Sequence, residues 1–414
     1  MRNLHYFHVN FIWEIGLLTG GKIKMNKKFF ILIATTIVVI VNCSTISSAI
    51  AAEKYSERIA SDFIRRFPNP DSIHWVGQSN HFSWQAGYVM LAMEKMWKAT
   101  GDSTYLHYVR KYVDQQVDSI GNVPDFKNNA LDNFLPGNSI LFMYEITGLR
   151  KYRDAATRIR QGFNNYPRSS NGLFWHSTED WGKGQVWLDG VLMGQLFLAR
   201  YGKKIKDGDY AFGEVVKQMT LIINKCQKPD GLLLHGWNEN KTASWADKTN
   251  GLSSEVWGEG LGWFAVLMAD VFTYLPRDVN GGDELVAALK RLCYGLKETQ
   301  DQTTGMWCQV VDKCNEPGNW NETSGTGMFI YFLEKSVEND LIPEEEFAPV
   351  IEAAYNGIIK KAVTNGDGHI DLIDCSSIGI QNSYNDYMSQ PKEVNTFSAF
   401  ASFILGTGAV ELGL

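Results

Sequence analysis

The sequence predicts an all-α protein, an (α/α)6 toroid of six helical hairpins. Three observations carry that expectation. Apolar helical stretches alternate with loops rich in Gly, Trp and Asn, and strand-like runs are few. A Gly or Thr opening an apolar helix recurs at Gly87, Gly137, Gly190, Gly260, Gly325 and Thr396, roughly every 50–70 residues, the span of one helical hairpin with its loops. The helices so opened are apolar nearly all round, whereas those between them keep one charged face for water.

In chain order, residues 1–51 read as upstream sequence plus a signal peptide. Lys24, Lys27 and Lys28 precede the apolar run 29–41, too short to span a bilayer comfortably, and Ala49-Ile50-Ala51 resembles a peptidase site. An exported protein, periplasmic or secreted, with no stable membrane span after cleavage, is expected. A lipoprotein acylated at Cys43 is the lesser alternative, because Asn42 is bulkier and more polar than such sites want. Residues 52–414 have no Pro-, Ser- or Gly-rich linker and read as a single domain.

Within it, inner helices are expected around Val89–Met93, Ile140–Tyr144, Val191–Ala199, Leu261–Val271, Met328–Leu333 and Phe397–Leu405. Outer, amphipathic helices are expected at Tyr105–Asp118, Tyr152–Phe163, Tyr210–Lys225, Glu284–Glu298 and Phe347–Lys360. Thr100-Gly101, Thr147-Gly148 and Tyr201-Gly202 read as places where a helix stops. An open solenoid is the competing arrangement, but it needs polar caps at both ends, and the last segment here is an apolar, inner-type helix. In a closed ring the loops entering the inner helices gather at one mouth.

The net charge of −7 argues against a nucleic-acid footprint. Past Cys43, the cysteines at 226, 293, 308, 314 and 375 form no Cys-x-x-Cys pair, so a zinc site is not expected. Cys308 and Cys314 are placed to pair across Gln309–Lys313, with buried free thiols an equal alternative. No glycine-rich phosphate loop and no nucleophile elbow occur. Gly366-Asp367-Gly368 with Asp371 and Asp374 lacks the calcium-loop spacing and reads as a solvated turn.

The chemistry-bearing residues fall at the predicted mouth: Trp84, Gln85, Asp132, His176, Trp187, Asp189, His235, Trp237, Trp257, Glu259, Trp263 and the run Asn319-Trp320-Asn321-Glu322. Indoles with a few carboxyls and imidazoles suit a sugar site, where apolar sugar faces stack and hydroxyls take directional hydrogen bonds. Asp189, between Trp187-Leu188 and Gly190, reads either as an acid whose pKa burial raises or as a helix N-cap.

Trp187-Leu188-Asp189-Gly190-Val191-Leu192-Met193, preceded by Phe174-Trp175-His176, resembles the signature of the unsaturated uronyl hydrolases of glycoside hydrolase family 105, relatives of the family 88 unsaturated glucuronyl hydrolases. Leu131-Asp132, Pro136-Gly137, Leu234-His235-Gly236-Trp237, Trp257-Gly258, Gly262-Trp263 and Gly305–Asp312 follow in the family's order, so the likeness runs from about Tyr55 to the end. The resemblance implies a cofactor-independent enzyme that removes a 4,5-unsaturated uronic acid from the non-reducing end of lyase-generated oligosaccharides. In that family an acid protonates C4, water adds at C5, and the hemiketal opens. Carried over, Asp189 is the general acid and Asp132 its supporting carboxylate. His176 and His235 contact sugar oxygens, Trp84, Trp187, Trp257 and Trp263 wall the pocket, and Gln85 and Met193 lie close by.

One position departs: Glu259 stands where the family often has an Arg to hold the uronate. Three readings compete: Lys183 supplies the charge instead, Glu259 accepts hydroxyls in a shifted pose, or the substrate is not a uronate. An Asp189/Glu259 carboxylate pair in a conventional glycosidase and a non-catalytic sugar-binding protein are the alternatives.

Overall fold

A computed structural model of the chain describes residues 54–74, 81–376 and 379–414. The expected signal segment, with the apolar run 29–41 and Cys43, lies outside the described residues. Lys54–Leu414 forms one compact unit. Among the described residues, twelve long helices alternate between an outer and an inner layer. The outer helices are α1 (Tyr55–Arg66), α3 (Ser103–Gln116), α5 (Arg150–Gln161), α7 (Gly208–Cys226), α9 (Gly282–Thr299) and α11 (Glu344–Ile358). The inner ones are α2 (Trp84–Thr100), α4 (Gly137–Thr147), α6 (Leu188–Ile205), α8 (Gly258–Tyr274), α10 (Thr323–Glu338) and α12 (Phe397–Leu412).

Neighbour follows neighbour around the inner layer, α2 on α4, α4 on α6, α6 on α8, α8 on α10 and α10 on α12. α12 then packs against α2. The ring is closed, so the open solenoid is excluded. Closure is tight because small residues let backbones meet: a Cβ on Gly327 of α10 would stand 2.5 Å from the Ser402 carbonyl oxygen of α12. Inner helices bury nearly every side chain, as in α12, where Ser398 through Ala409 are all covered. Outer helices bury one stripe, as in α5, where only Tyr152, Ala155, Ala156 and Ile159 are covered.

The ends obey their local signals. Ser83, Asp102 and Thr396 cap α2, α3 and α12 by accepting backbone N–H groups of Ala86, Thr104 and Ala399. Gly101 and Gly148 end α2 and α4 in the left-handed conformation, φ 73° and 65°. Tyr201-Gly202 behaves otherwise. α6 runs on to Ile205 and ends on left-handed Lys206, and Gly202 serves packing, since a Cβ there would lie 2.7 Å from Ala211 Cβ of α7.

Among the described residues there are also two small two-stranded sheets. β1 (Gln185–Trp187) pairs antiparallel with β2 (Gly236–Asn238), and β3 (Ala362–Thr364) with β4 (Ile370–Leu372). The Gly366–Asp374 segment belongs to the β3–β4 hairpin, where Asp371 pairs with Arg66 and Asp374 with Lys361. At the other end of the inner helices, Arg200 of α6 makes a fully buried bidentate pair with Glu94 of α2, at 2.7 and 2.8 Å.

Candidate functional site

The segment before α6 is knitted to its neighbours by backbone hydrogen bonds. His176 N–H donates to the Gln185 carbonyl at 2.7 Å, Leu188 N–H to the His235 carbonyl at 3.0 Å, and Leu131 N–H to the His176 carbonyl at 2.9 Å. With Trp187 opposite Gly236 in the β1–β2 register, these bonds bring residues 132, 176, 189 and 235 together from four places far apart in the sequence. Asp132 stands in a 3-10 turn, Leu131–Phe134, just ahead of α4.

The imidazole of His176 lies between the two aspartates. Its Nε2 is 3.8 Å from Asp132 Oδ2 and its Nδ1 3.8 Å from Asp189 Oδ1, while His235 Nε2 approaches Asp189 Oδ1 at 3.9 Å. Trp187 stacks flat on His176, centroids 4.3 Å apart at 15°, and Trp181 leans on both rings. His235 meets Trp257 edge-on at 4.9 Å.

Asp189 is not an N-cap. Trp187 occupies that place, and Asp189 lies in the first turn with Oδ1 accepting from Gly190 N–H at 2.8 Å. Burial raises the Asp189 carboxyl to about 6, against the pull of His176 and with the help of the Asp132 charge. Burial likewise raises Asp132 to about 7. Burial lowers both imidazoles, His235 to about 3, so at neutral pH they are uncharged and each ring can accept as well as donate.

The glycines after the two acidic residues share one task. A Cβ on Gly190 would lie 2.6 Å from His176 Nδ1, and one on Gly260 2.2 Å from His235 Nδ1. Each histidine therefore rests on a bare backbone at the opening of an inner helix, which fixes it beside the acid.

Trp84, Asp132, Trp187 and Asp189 are half-buried and open to the mouth, whereas Gln85, His176, Met193, His235, Trp257, Glu259 and Trp263 are covered. Trp84 and Trp263 meet edge-on at 5.6 Å. Several covered polar atoms lack a hydrogen-bond partner among the described residues: Gln85 Oε1, Asn138 Oδ1, both amide atoms of Gln195, and His235 Nδ1 and Nε2. Such atoms are costly to bury without partners, and polar ligand groups or water would satisfy them.

Glu259, 1% exposed, lies beside Ser398 and Ser324, with its Oε2 lacking a hydrogen-bond partner among the described residues, and close enough to Glu322 for their charges to interact. Glu322 accepts from the N–H groups of Ser324, Gly325 and Ser376 and from the Ser324 hydroxyl. Those donors saturate an anion, so the proton of the pair stays on Glu259, whose carboxyl burial pushes well above its usual range. Lys183 does not stand in for the family's Arg; its Nζ pairs at 2.6 Å with Asp180, which is 96% exposed. Trp181, Ser324, Ser376 and Ser398 were not legible as site residues, and only Trp181, between His176 and Trp187 in sequence, carried a signal.

Cys308 and Cys314 form a disulfide, while Cys226, Cys293 and Cys375 are buried free thiols. Among the described residues no helix is long and apolar enough to cross a membrane.

Comparison with known proteins gives a consistent result. The profile of Glycosyl Hydrolase Family 88 matches residues 55–410. The unsaturated rhamnogalacturonyl hydrolase YesR of Bacillus subtilis is 24% identical over 304 residues, 70% of this chain and 83% of that protein. A C. acetobutylicum glycoside hydrolase from family 105 superposes with a TM-score of 0.79 at 27% identity, covering 87% of this chain and 99% of its own. The unsaturated glucuronyl hydrolase of Bacillus sp. GL1 shares the fold, with a TM-score of 0.66 at 15% identity over 86% of this chain and 95% of its own.

Proposed function

The chain belongs to Glycosyl Hydrolase Family 88, and from that premise we propose that it removes a 4,5-unsaturated uronic acid from the non-reducing end of lyase-generated oligosaccharides. The observation that carries this reading is the pair of burial-raised carboxyls, Asp132 and Asp189, set on either side of a neutral His176 beneath Trp187. Protonating an alkene carbon calls for a carboxylic acid that keeps its proton near neutrality in a partly dry site.

Asp189 gives its proton to C4 of the enol ether. Its carboxylate then takes a proton from the water whose oxygen bonds to C5, and the hemiketal so formed opens and releases the remaining sugar. Asp132 and Asp189 titrate as a coupled pair in which ionisation of one makes ionisation of the other harder, which keeps a proton at the site, and the neutral imidazoles hold sugar hydroxyls or the water. The relatives support the substrate class, because YesR is an unsaturated rhamnogalacturonyl hydrolase. Export is part of the same proposal, supported by the Cys308–Cys314 disulfide, a bond favoured outside the reducing cytosol.

A conventional glycosidase using Asp189 and Glu259 is less well supported, because Glu259 is buried against Ser324 and Ser398 rather than open to a sugar. The test is optical. Lyase products carry a conjugated double bond that absorbs in the ultraviolet; the proposed reaction bleaches it. Release of sugar without bleaching would mark an ordinary glycosidase, and neither change would mark a binding protein.

A further inference from the structure

Around Asp132, Asp189 and Glu259 the described residues supply carboxyls and imidazoles, with no lysine or arginine paired to any of the three. We propose that the enzyme accepts the unsaturated uronic acid with its carboxyl uncharged, as an ester, which rests on the reaction proposed above. The ester keeps the C4=C5 enol ether that Asp189 protonates. It is also what β-elimination within an esterified polyuronide leaves at the non-reducing end, and the neutral ester carbonyl eases that elimination by acidifying the C5 hydrogen.

The charges at the mouth are of one sign. The basic groups beside the two aspartates are His176 and His235, and burial keeps both rings neutral. Lys183 is spent on Asp180. Lys127, whose carbonyl accepts from Asn133 Nδ2, is exposed, and Asp132 is raised by burial with no cation drawing it down. Residues 75–80 and 377–378, which fall outside the description, contain no Lys, Arg or His. The lasting charge is the buried carboxylate of Glu322, beside Glu259 and held by the N–H groups of Ser324, Gly325 and Ser376.

Helix N-termini are the other usual anchor for a carboxylate, and those of the inner ring are already engaged. Ala86 of α2 donates to Ser83, Gly190 of α6 to Asp189, Gly258 of α8 to the Gln309 carbonyl, Ser324 and Gly325 of α10 to Glu322, and Ala399 of α12 to Thr396. Gln85 and Asn138, second residues of α2 and α4 as Asp189 is of α6, leave Oε1 and Oδ1 without partners among the described residues. Both are oxygens, suited to accept from hydroxyls and turned against a carboxylate. An anionic end therefore gains no partner here and meets Glu322 together with whichever aspartate is ionised, whereas an ester carries no such cost.

The test compares the bleaching of two lyase-generated disaccharides that differ only at the unsaturated end, one the methyl ester and one the free acid, near neutral pH where the free acid is ionised. The native enzyme should show about tenfold higher kcat/KM for the ester. Equal values, or a preference for the free acid, overturn the proposal. Glu259→Arg, which places a cation beside Glu322, should narrow the preference several-fold. Where that variant does not fold, Glu322→Gln, which removes the anion, should narrow it instead. An unchanged ratio in the folded variant overturns the proposal. If the native enzyme bleaches neither disaccharide, the proposed reaction fails, and the ester preference is judged by calorimetry with the same two compounds. Equal affinity, or tighter binding of the free acid, then overturns it.

Discussion

Replacing Asp132 by Asn removes, from the far side of His176, the carboxyl whose ionisation opposes that of Asp189, and leaves the shape of the side chain. Asp132 and Asp189 each stand 3.8 Å from a nitrogen of the same ring. For carboxylates so bracketed, roughly 8 Å apart at an effective dielectric of about 20, the repulsion is about 2 kcal/mol. That is about 1.5 pH units in the proton affinity of Asp189. The native enzyme should lose activity as pH rises through 6 to 7, the range to which burial lifts the two acids. In Asp132→Asn that alkaline limb should move down by about one pH unit or more, with kcat reduced and substrate still bound. The assay is the pH profile of the bleaching rate, with a titration of the 13C-labelled Asp189 carboxyl as an independent reading. A limb that stays in place, with the carboxyl titration unmoved, would refute the idea that Asp132 and Asp189 titrate as a coupled pair.

The same shifts have a sign for stability. An acid whose folded pKa is raised loses its proton in the unfolded chain first, so each aspartate costs stability progressively from its ordinary value of 3.8 up to about 6 to 7, above which the cost is constant. Asp132→Asn should therefore gain about 2 kcal/mol at pH 8, after discounting for its partial exposure, and almost nothing at pH 4, measured by urea unfolding at both. Gly190→Ala should push His176 out of line, because the added methyl lies 2.6 Å from Nδ1. A roughly 100-fold loss of kcat with little change in far-ultraviolet circular dichroism is expected. Glu259→Gln should be nearly neutral in thermal denaturation, since Glu259 already carries a proton. Glu322→Gln, which turns an NH2 toward backbone donors, should cost about 2 kcal/mol. Equal effects of those two changes would contradict the placement of the proton.

Six of the twelve ring helices announced themselves by being apolar all round, because an inner helix touches protein on every side. The charged stripe of α5, with Arg150, Arg153 and Arg158 outside and Ile159 inside, was equally plain. Gly202 misled because its lack of a Cβ serves the α6–α7 contact and not a helix end. At the site, the cluster of Asp132, His176, Asp189 and His235 followed from chemistry and family likeness, but its assembly depends on backbone bonds between loops far apart in sequence, which no local pattern encodes. Ser324, Ser376 and Ser398 were invisible for the same reason: a serine is ordinary until the fold turns it toward a buried carboxyl. Lys183 shows the converse, a charge placed close by in sequence that the fold spends on exposed Asp180.

The most direct measurement is the ultraviolet absorbance of a lyase-generated oligosaccharide incubated with the native protein and with Asp189→Asn. Bleaching by the first and none by the second, with the variant still folded and still binding the sugar, is the expected result. A variant that bleaches at the native rate would show that the proton reaches the double bond from some other group.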